Sequence, residues 1–101
     1  MLCAAGLLVA ISAPALGSGT SVKVSGYKFT PKTIRVKKGS TVTWTWSASN
    51  DDKHNVTFKG FHSKSQKRGR FTHTFRKKGT YRYVCTFHAT SHGMRGTVVV
   101  S

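Results

Sequence analysis

Apolar and polar residues alternate through most of this chain, and after residue 20 no stretch repeats its apolar positions at helical spacing. In SVKVSGYKF, Val22 and Val24 share a side; after Pro31, TIRVKKG pairs Ile34 with Val36 and stops at Gly39. STVTWTW is the cleanest run, with Val42, Trp44 and Trp46 facing one way and Thr41, Thr43 and Thr45 the other. Such a run reads as a half-buried strand that carries two large aromatic rings into a small core. HNVTF puts Val56 and Phe58 inward, RFTHTF groups Phe71, His73 and Phe75, and GTYRYVC aligns Tyr81, Tyr83 and Cys85 with Arg82 outside. GTVVVS closes the chain as a last strand. Short β-rich segments punctuated by Gly, Pro, Asn and Asp predict an all-β, antiparallel sandwich or barrel. KGFHSKSQKRGR is expected to be a basic, Ser/Gly-rich loop between strands.

Parity also sorts the metal-binding side chains. His54 shares the inward side of Val56 and Phe58, and Cys85 ends the inward series of Tyr81 and Tyr83, so each sits at the end of a predicted strand. His88 and Met94 follow Cys85 within one loop, CTFHATSHGM, and strand ends from different parts of a sandwich can meet at one pole. Thiolate and thioether sulfur combined with imidazole select copper, and two histidines with one cysteine in a plane under a weak axial methionine describe a blue-copper electron-transfer centre. Structural zinc would usually take four Cys or His ligands and no Met. A Cys–His nucleophile would need an orienting third group and an oxyanion donor.

A chain of 101 residues holds one domain, whose thin margin of buried surface a bound metal would supplement. Its acids are Asp51 and Asp52 alone, adjacent in a loop, which leaves most hydrolytic mechanisms without their groups; no catalytic residue is expected. Against them stand 17 Lys and Arg, a formal charge of +15 that favours anionic partners or surfaces and says nothing about fold. The first twenty residues differ from the rest: uncharged, apolar from Leu2 to Ile11, then small, with Ala13 and Ala15 in the pattern of a cleavage site but no basic start. Residues 1–17 are read as a secretory signal peptide and 18–101 as the functional domain, which puts the protein outside the cytoplasm, secreted or on the envelope side. Removing the leader takes Cys3 with it and leaves Cys85 as a lone thiol in an oxidising compartment. An intermolecular disulfide, inert burial or a metal would each account for it.

HNVTF, GTYRYVCTFH and GMRGTVVV resemble the plastocyanin-like, or cupredoxin, family of blue copper proteins, near its plastocyanin, pseudoazurin and amicyanin members. VKVSGYKFTPKTIRVKKGSTVTW is similar to that family's N-terminal strands, so the likeness runs through nearly all of 18–101. It implies a Greek-key β-sandwich of about seven to eight strands. It also implies one type-1 copper ion bound by His54, Cys85, His88 and Met94 and cycling between Cu(I) and Cu(II). By the same likeness, Asn55 would tie the two ligand loops together through Thr86, next to the thiolate. Two spacings depart from the family: Met94 lies six residues after His88, a longer step than usual, and the 31 residues from His54 to Cys85 are fewer.

The remaining histidines sort by the same logic. His92 shares the ligand loop, but His88 has the family's Cys-x-x-His spacing; His62 reads as solvent-exposed, and His73, between two phenylalanines, as a partly buried structural residue. The function implied is a monomeric carrier of single electrons between redox proteins, its basic surface suited to acidic partners or to anionic envelope polymers and headgroups. An extracytoplasmic copper carrier with the same ligands is the alternative. A metal-free cationic sandwich that binds polyanions is the rival from another class; no specific nucleic-acid binding is expected, because the aromatic residues take inward positions rather than a stacking surface.

Overall fold

Alternation becomes burial in the computed structural model, which describes residues 19–101; the expected signal peptide and Cys3 lie outside the described residues. Nine strands form among the described residues: β1 (Ser21–Ser25), β2 (Lys28–Thr30), β3 (Thr33–Val36), β4 (Ser40–Trp46), β5 (Thr57–Phe58), β6 (Phe61–His62), β7 (Gly69–Phe75), β8 (Gly79–Val84) and β9 (Arg95–Val100). They make a sandwich of one sheet ordered β2-β1-β4-β7 and another ordered β3-β9-β8-β5-β6. The chain passes from sheet to sheet five times after its first hairpin, so strands next to each other in sequence often lie in opposite layers, as in a Greek key. Two neighbours are parallel, β1 beside β4 and β3 beside β9, and the other pairings are antiparallel.

Val22, Val24, Phe29, Val42, Trp44, Trp46 and Phe75 face inward from the first sheet, and Ile34, Val36, Phe58, Tyr83, Val98 and Val100 from the second. Trp44 joins the layers: its ring meets Tyr83 edge-on at 5.5 Å and Phe58 at 5.7 Å. Phe71, His73 and Tyr81 share the inward parity but are only half-buried. His73 instead lies flat against Phe61, ring centroids 3.8 Å apart.

Two local features differ from the sequence expectation. The basic connection after β5 is not wholly loop, because Phe61–His62 pairs back on β5 as a short edge strand and Ser63 is buried, its Oγ accepting from Val56 N at 2.9 Å. The loop after β8 contains one helical turn, α1 (Ala89–His92), closed by Gly93 in the left-handed region at φ 63. Four residues are too few to show a helical period in sequence.

Strand direction sets two ends. β8 delivers Cys85 to one end, β9 leaves from it at Arg95, and β4 finishes there at Trp46. The β3–β4 and β7–β8 turns lie side by side at the other end, where Gly39 N donates to Phe75 O at 2.6 Å.

Candidate metal centre

His54 precedes β5 rather than lying in it. Its backbone exchanges two 3.0 Å hydrogen bonds with Gln66, and the buried Trp46 Nε1 donates to His54 O at 3.0 Å. These bonds hold the imidazole at the inner edge of the sandwich, 1% exposed. Burial, and then the neighbouring His88, keep it below the usual histidine range, with Asp52 acting in the opposite direction.

Cys85 follows β8 directly and is fully buried, a free thiol. The loop behind it is bound to itself: Cys85 N donates to Met94 O at 3.0 Å, His88 N to Cys85 O at 3.1 Å, and Met94 N to His88 O at 3.2 Å. The helical turn absorbs the residues between His88 and Met94, so the long step between them does not carry Met94 out of the fold; its side chain is fully buried.

Three donor atoms converge. His54 Nδ1 and His88 Nδ1 are 3.2 Å apart, and Cys85 Sγ lies 3.5 Å from His88 Nδ1 and 3.9 Å from His54 Nδ1. A metal at the centre of a plane, about 2.0 Å from each nitrogen and about 2.3 Å from sulfur, would hold them about 3.5–3.7 Å apart. The triangle therefore has the size of a metal site, and one thiolate with two imidazoles fits copper. Two imidazoles that turn their Nδ1 atoms toward each other and toward a thiolate are well arranged to present lone pairs to one cation.

Asn55 links the two ligand segments. Its Nδ2 donates to Thr86 Oγ1 at 2.8 Å and to Ser65 Oγ at 3.2 Å, while Oδ1 accepts from Thr86 N at 3.0 Å and from Thr57 Oγ1 at 2.9 Å. His92 is exposed and lies outside the triangle; His62 is exposed on β6, and His73 is remote on β7.

The sequence reading missed Tyr27. It sits on the two-residue turn between β1 and β2, where Gly26 takes φ 62, a conformation glycine adopts without strain. The buried Asn50 holds that turn, its Oδ1 accepting from Gly26 N at 3.2 Å and its Nδ2 donating to Val24 O at 3.0 Å. Tyr27 stacks on His92, meets His88 edge-on with centroids 4.8 Å apart, and donates its hydroxyl to Asp52 Oδ2 at 3.0 Å. The carboxylate holds the phenol above its ordinary pKa. Tyr27 and Phe87 are 42% and 53% exposed at this end, which corrects the expectation that the aromatic residues all face inward.

The sequence profile described as copper binding proteins, plastocyanin/azurin family, matches residues 18–101, and the chain belongs to that family. Amicyanin-alpha of Methylorubrum extorquens is 38% identical over 105 aligned residues, which cover 96% of this chain and 83% of that one. Halocyanin of Natronomonas pharaonis is 37% identical over 83 residues, 75% of this chain but half the length of that protein. Among solved structures, a purple cupredoxin from Nitrosopumilus maritimus superposes with a TM-score of 0.71 at 26% identity, over 82% of this chain and all of that one. A Cu(I) amicyanin variant gives 0.68 at 33% identity, over 91% of this chain and 88% of that one. The fold is a cupredoxin sandwich, and the cofactor is a single copper ion.

Proposed function

We propose that the protein is a type-1 copper electron carrier whose ion would be held by His54, Cys85, His88 and Met94, with Asn55 and Thr86 fixing the two ligand segments. Copper supplies a one-electron Cu(I)/Cu(II) couple when bound. The observation that carries the reading is the donor triangle, with sides of 3.2, 3.5 and 3.9 Å. Ligands held by the backbone bonds of His54 and of the Cys85–Met94 loop leave little to rearrange between oxidation states. That rigidity favours electron transfer over a copper-delivery role, which needs ligands that let go.

Half-exposed His88, beside exposed Phe87, is the ligand through which an electron leaves for a redox protein docked at this end. Residues 1–17 act as a secretory leader, so the carrier works outside the cytoplasm as a monomer. The protein transfers electrons and performs no bond chemistry of its own.

The visible spectrum with one equivalent of Cu(II) tests this. An intense thiolate-to-copper band is expected, lost in Cys85→Ser and lost or grossly altered in His54→Ala and His88→Ala, with His92→Ala retaining it. A band that survives Cys85→Ser sinks the assignment; loss in His92→Ala with a silent His88→Ala transfers the role to His92.

A further inference from the structure

All 17 basic residues lie in the described part of the chain, and the donor triangle uses none of them. Five are gathered at the end away from Cys85. Lys37 and Lys38 fill the β3–β4 turn, Arg76, Lys77 and Lys78 fill the β7–β8 turn, and all five are exposed. The turns are locked together: Ser40 pairs with Phe75, Lys38 N donates to Ser101 O at 2.8 Å, and Tyr81 Oη donates to Lys77 O at 2.8 Å. No side-chain carboxylate balances them. Asp51 and Asp52 line a hollow at the other end with Tyr27 and His54.

The tip is thus a cationic cluster with no side-chain acid beside it, whereas at the other end Lys53, Lys67 and Arg95 share the surface with both acids. Between the tip and Cys85 runs β8, six residues or about 20 Å of extended chain. A redox partner bound at the tip would sit a sandwich's length from the donor triangle, so electron transfer does not account for this patch.

We infer that the tip docks on the anionic headgroup plane of a lipid bilayer and holds the metal end outward, toward soluble redox partners. Two adjacent short turns form a projecting tip, which suits a plane of charge better than a strand that must be tracked along a groove. β1 runs parallel to β4, away from the tip, and Thr43 N donates to Thr20 O at 2.8 Å. The chain therefore enters the fold running away from the tip. Basic residues gathered near an anionic leaflet are attracted within a Debye length of it, which makes the contact sensitive to salt.

Co-sedimentation of the copper-loaded protein with vesicles tests this, using phosphatidylcholine alone or with about one-third phosphatidylglycerol. Retention on the anionic vesicles alone is expected, weakening as salt rises. The triple variant Arg76→Gln, Lys77→Gln, Lys78→Gln should lose more than about tenfold in vesicle affinity. Removing equal charge from the outer face of the first sheet, by Lys23→Gln, Lys28→Gln and Arg70→Gln, should cost no more than about threefold. Both variants should keep the thiolate-to-copper band, and vesicle-bound protein should be reduced by neutral hydroquinone as fast as free protein. Equal losses in the two triple variants would overturn the inference, because binding would then follow total charge. So would failure to bind anionic vesicles, binding to soluble polyphosphate but not to vesicles at the same salt, or slowed reduction of the bound protein, which would put the metal end against the lipid.

Discussion

Tyr27 lies flat on His92, with ring centroids 3.8 Å apart and planes 10° from parallel, although 65 residues separate them in sequence. The same ring touches His88 edge-on and anchors its hydroxyl on Asp52, two residues before His54. One side chain thus spans both ligand segments from outside. A stacked pair of rings stabilises beyond the area it buries. Tyr27→Ala should speed transfer of copper to an excess of chelator by about three- to tenfold, and Tyr27→Phe, which keeps the stack, by less. Equal rates in all three proteins would mean that the ring covers the site without bracing it.

Asn55 makes four hydrogen bonds, two of them to Thr86 beside the thiol. Asn55→Ala strands the Thr86 amide and should cost about 1–3 kcal/mol in urea unfolding of the metal-free protein. Loosening the ligand segments should also weaken copper binding by about 10- to 100-fold in a competition titration. Affinity unchanged alongside lowered stability would confine Asn55 to the fold.

Tyr83 and Gly96 face each other across β8 and β9, and a Cβ at Gly96 would collide with the Tyr83 ring and hydroxyl. Gly96→Ala should therefore destabilise by about 1–3 kcal/mol through overpacking. The Tyr83 hydroxyl and Trp44 Nε1 are the buried side-chain polar atoms without a hydrogen-bond partner among the described residues. Burial pushes the phenol up to about 12, offset in part by the nearby Trp44 N–H. Tyr83→Phe alone should be close to neutral, and in the double variant it should relieve part of the Gly96→Ala penalty, a coupling that a double-mutant cycle of unfolding midpoints measures.

Burial holds the His73 imidazole below the usual histidine range. The unfolded chain then takes up this proton at higher pH than the folded one. The stability tied to this group is intact above about pH 6.5 and is lost as pH falls below that toward the folded value. His73→Phe retains the ring stack on Phe61 and removes the titration. Its unfolding midpoint relative to the parent protein should rise between about pH 7.5 and about pH 5, the other histidines being common to both. A constant difference would show that His73 titrates alike in both states.

The parity of Val42, Trp44 and Trp46, and of Tyr81, Tyr83 and Cys85, was legible in the chain because a strand turns alternate residues to one face whatever its neighbours do. That local rule also put His54 and Cys85 inward, and the chemistry of two histidines, a cysteine and a methionine named the metal. Pairing across the sandwich follows no local rule. Tyr27 on His92, Gln66 on His54 and the short β6 strand all depend on which segments the sheet order brings together. The five-cation tip is of the same kind: the runs at 37–38 and 76–78 are plain in the sequence, but only the pairing of Ser40 with Phe75 makes them one surface. Total charge is a sum over residues, whereas which of them share the tip is a property of the folded strands' direction.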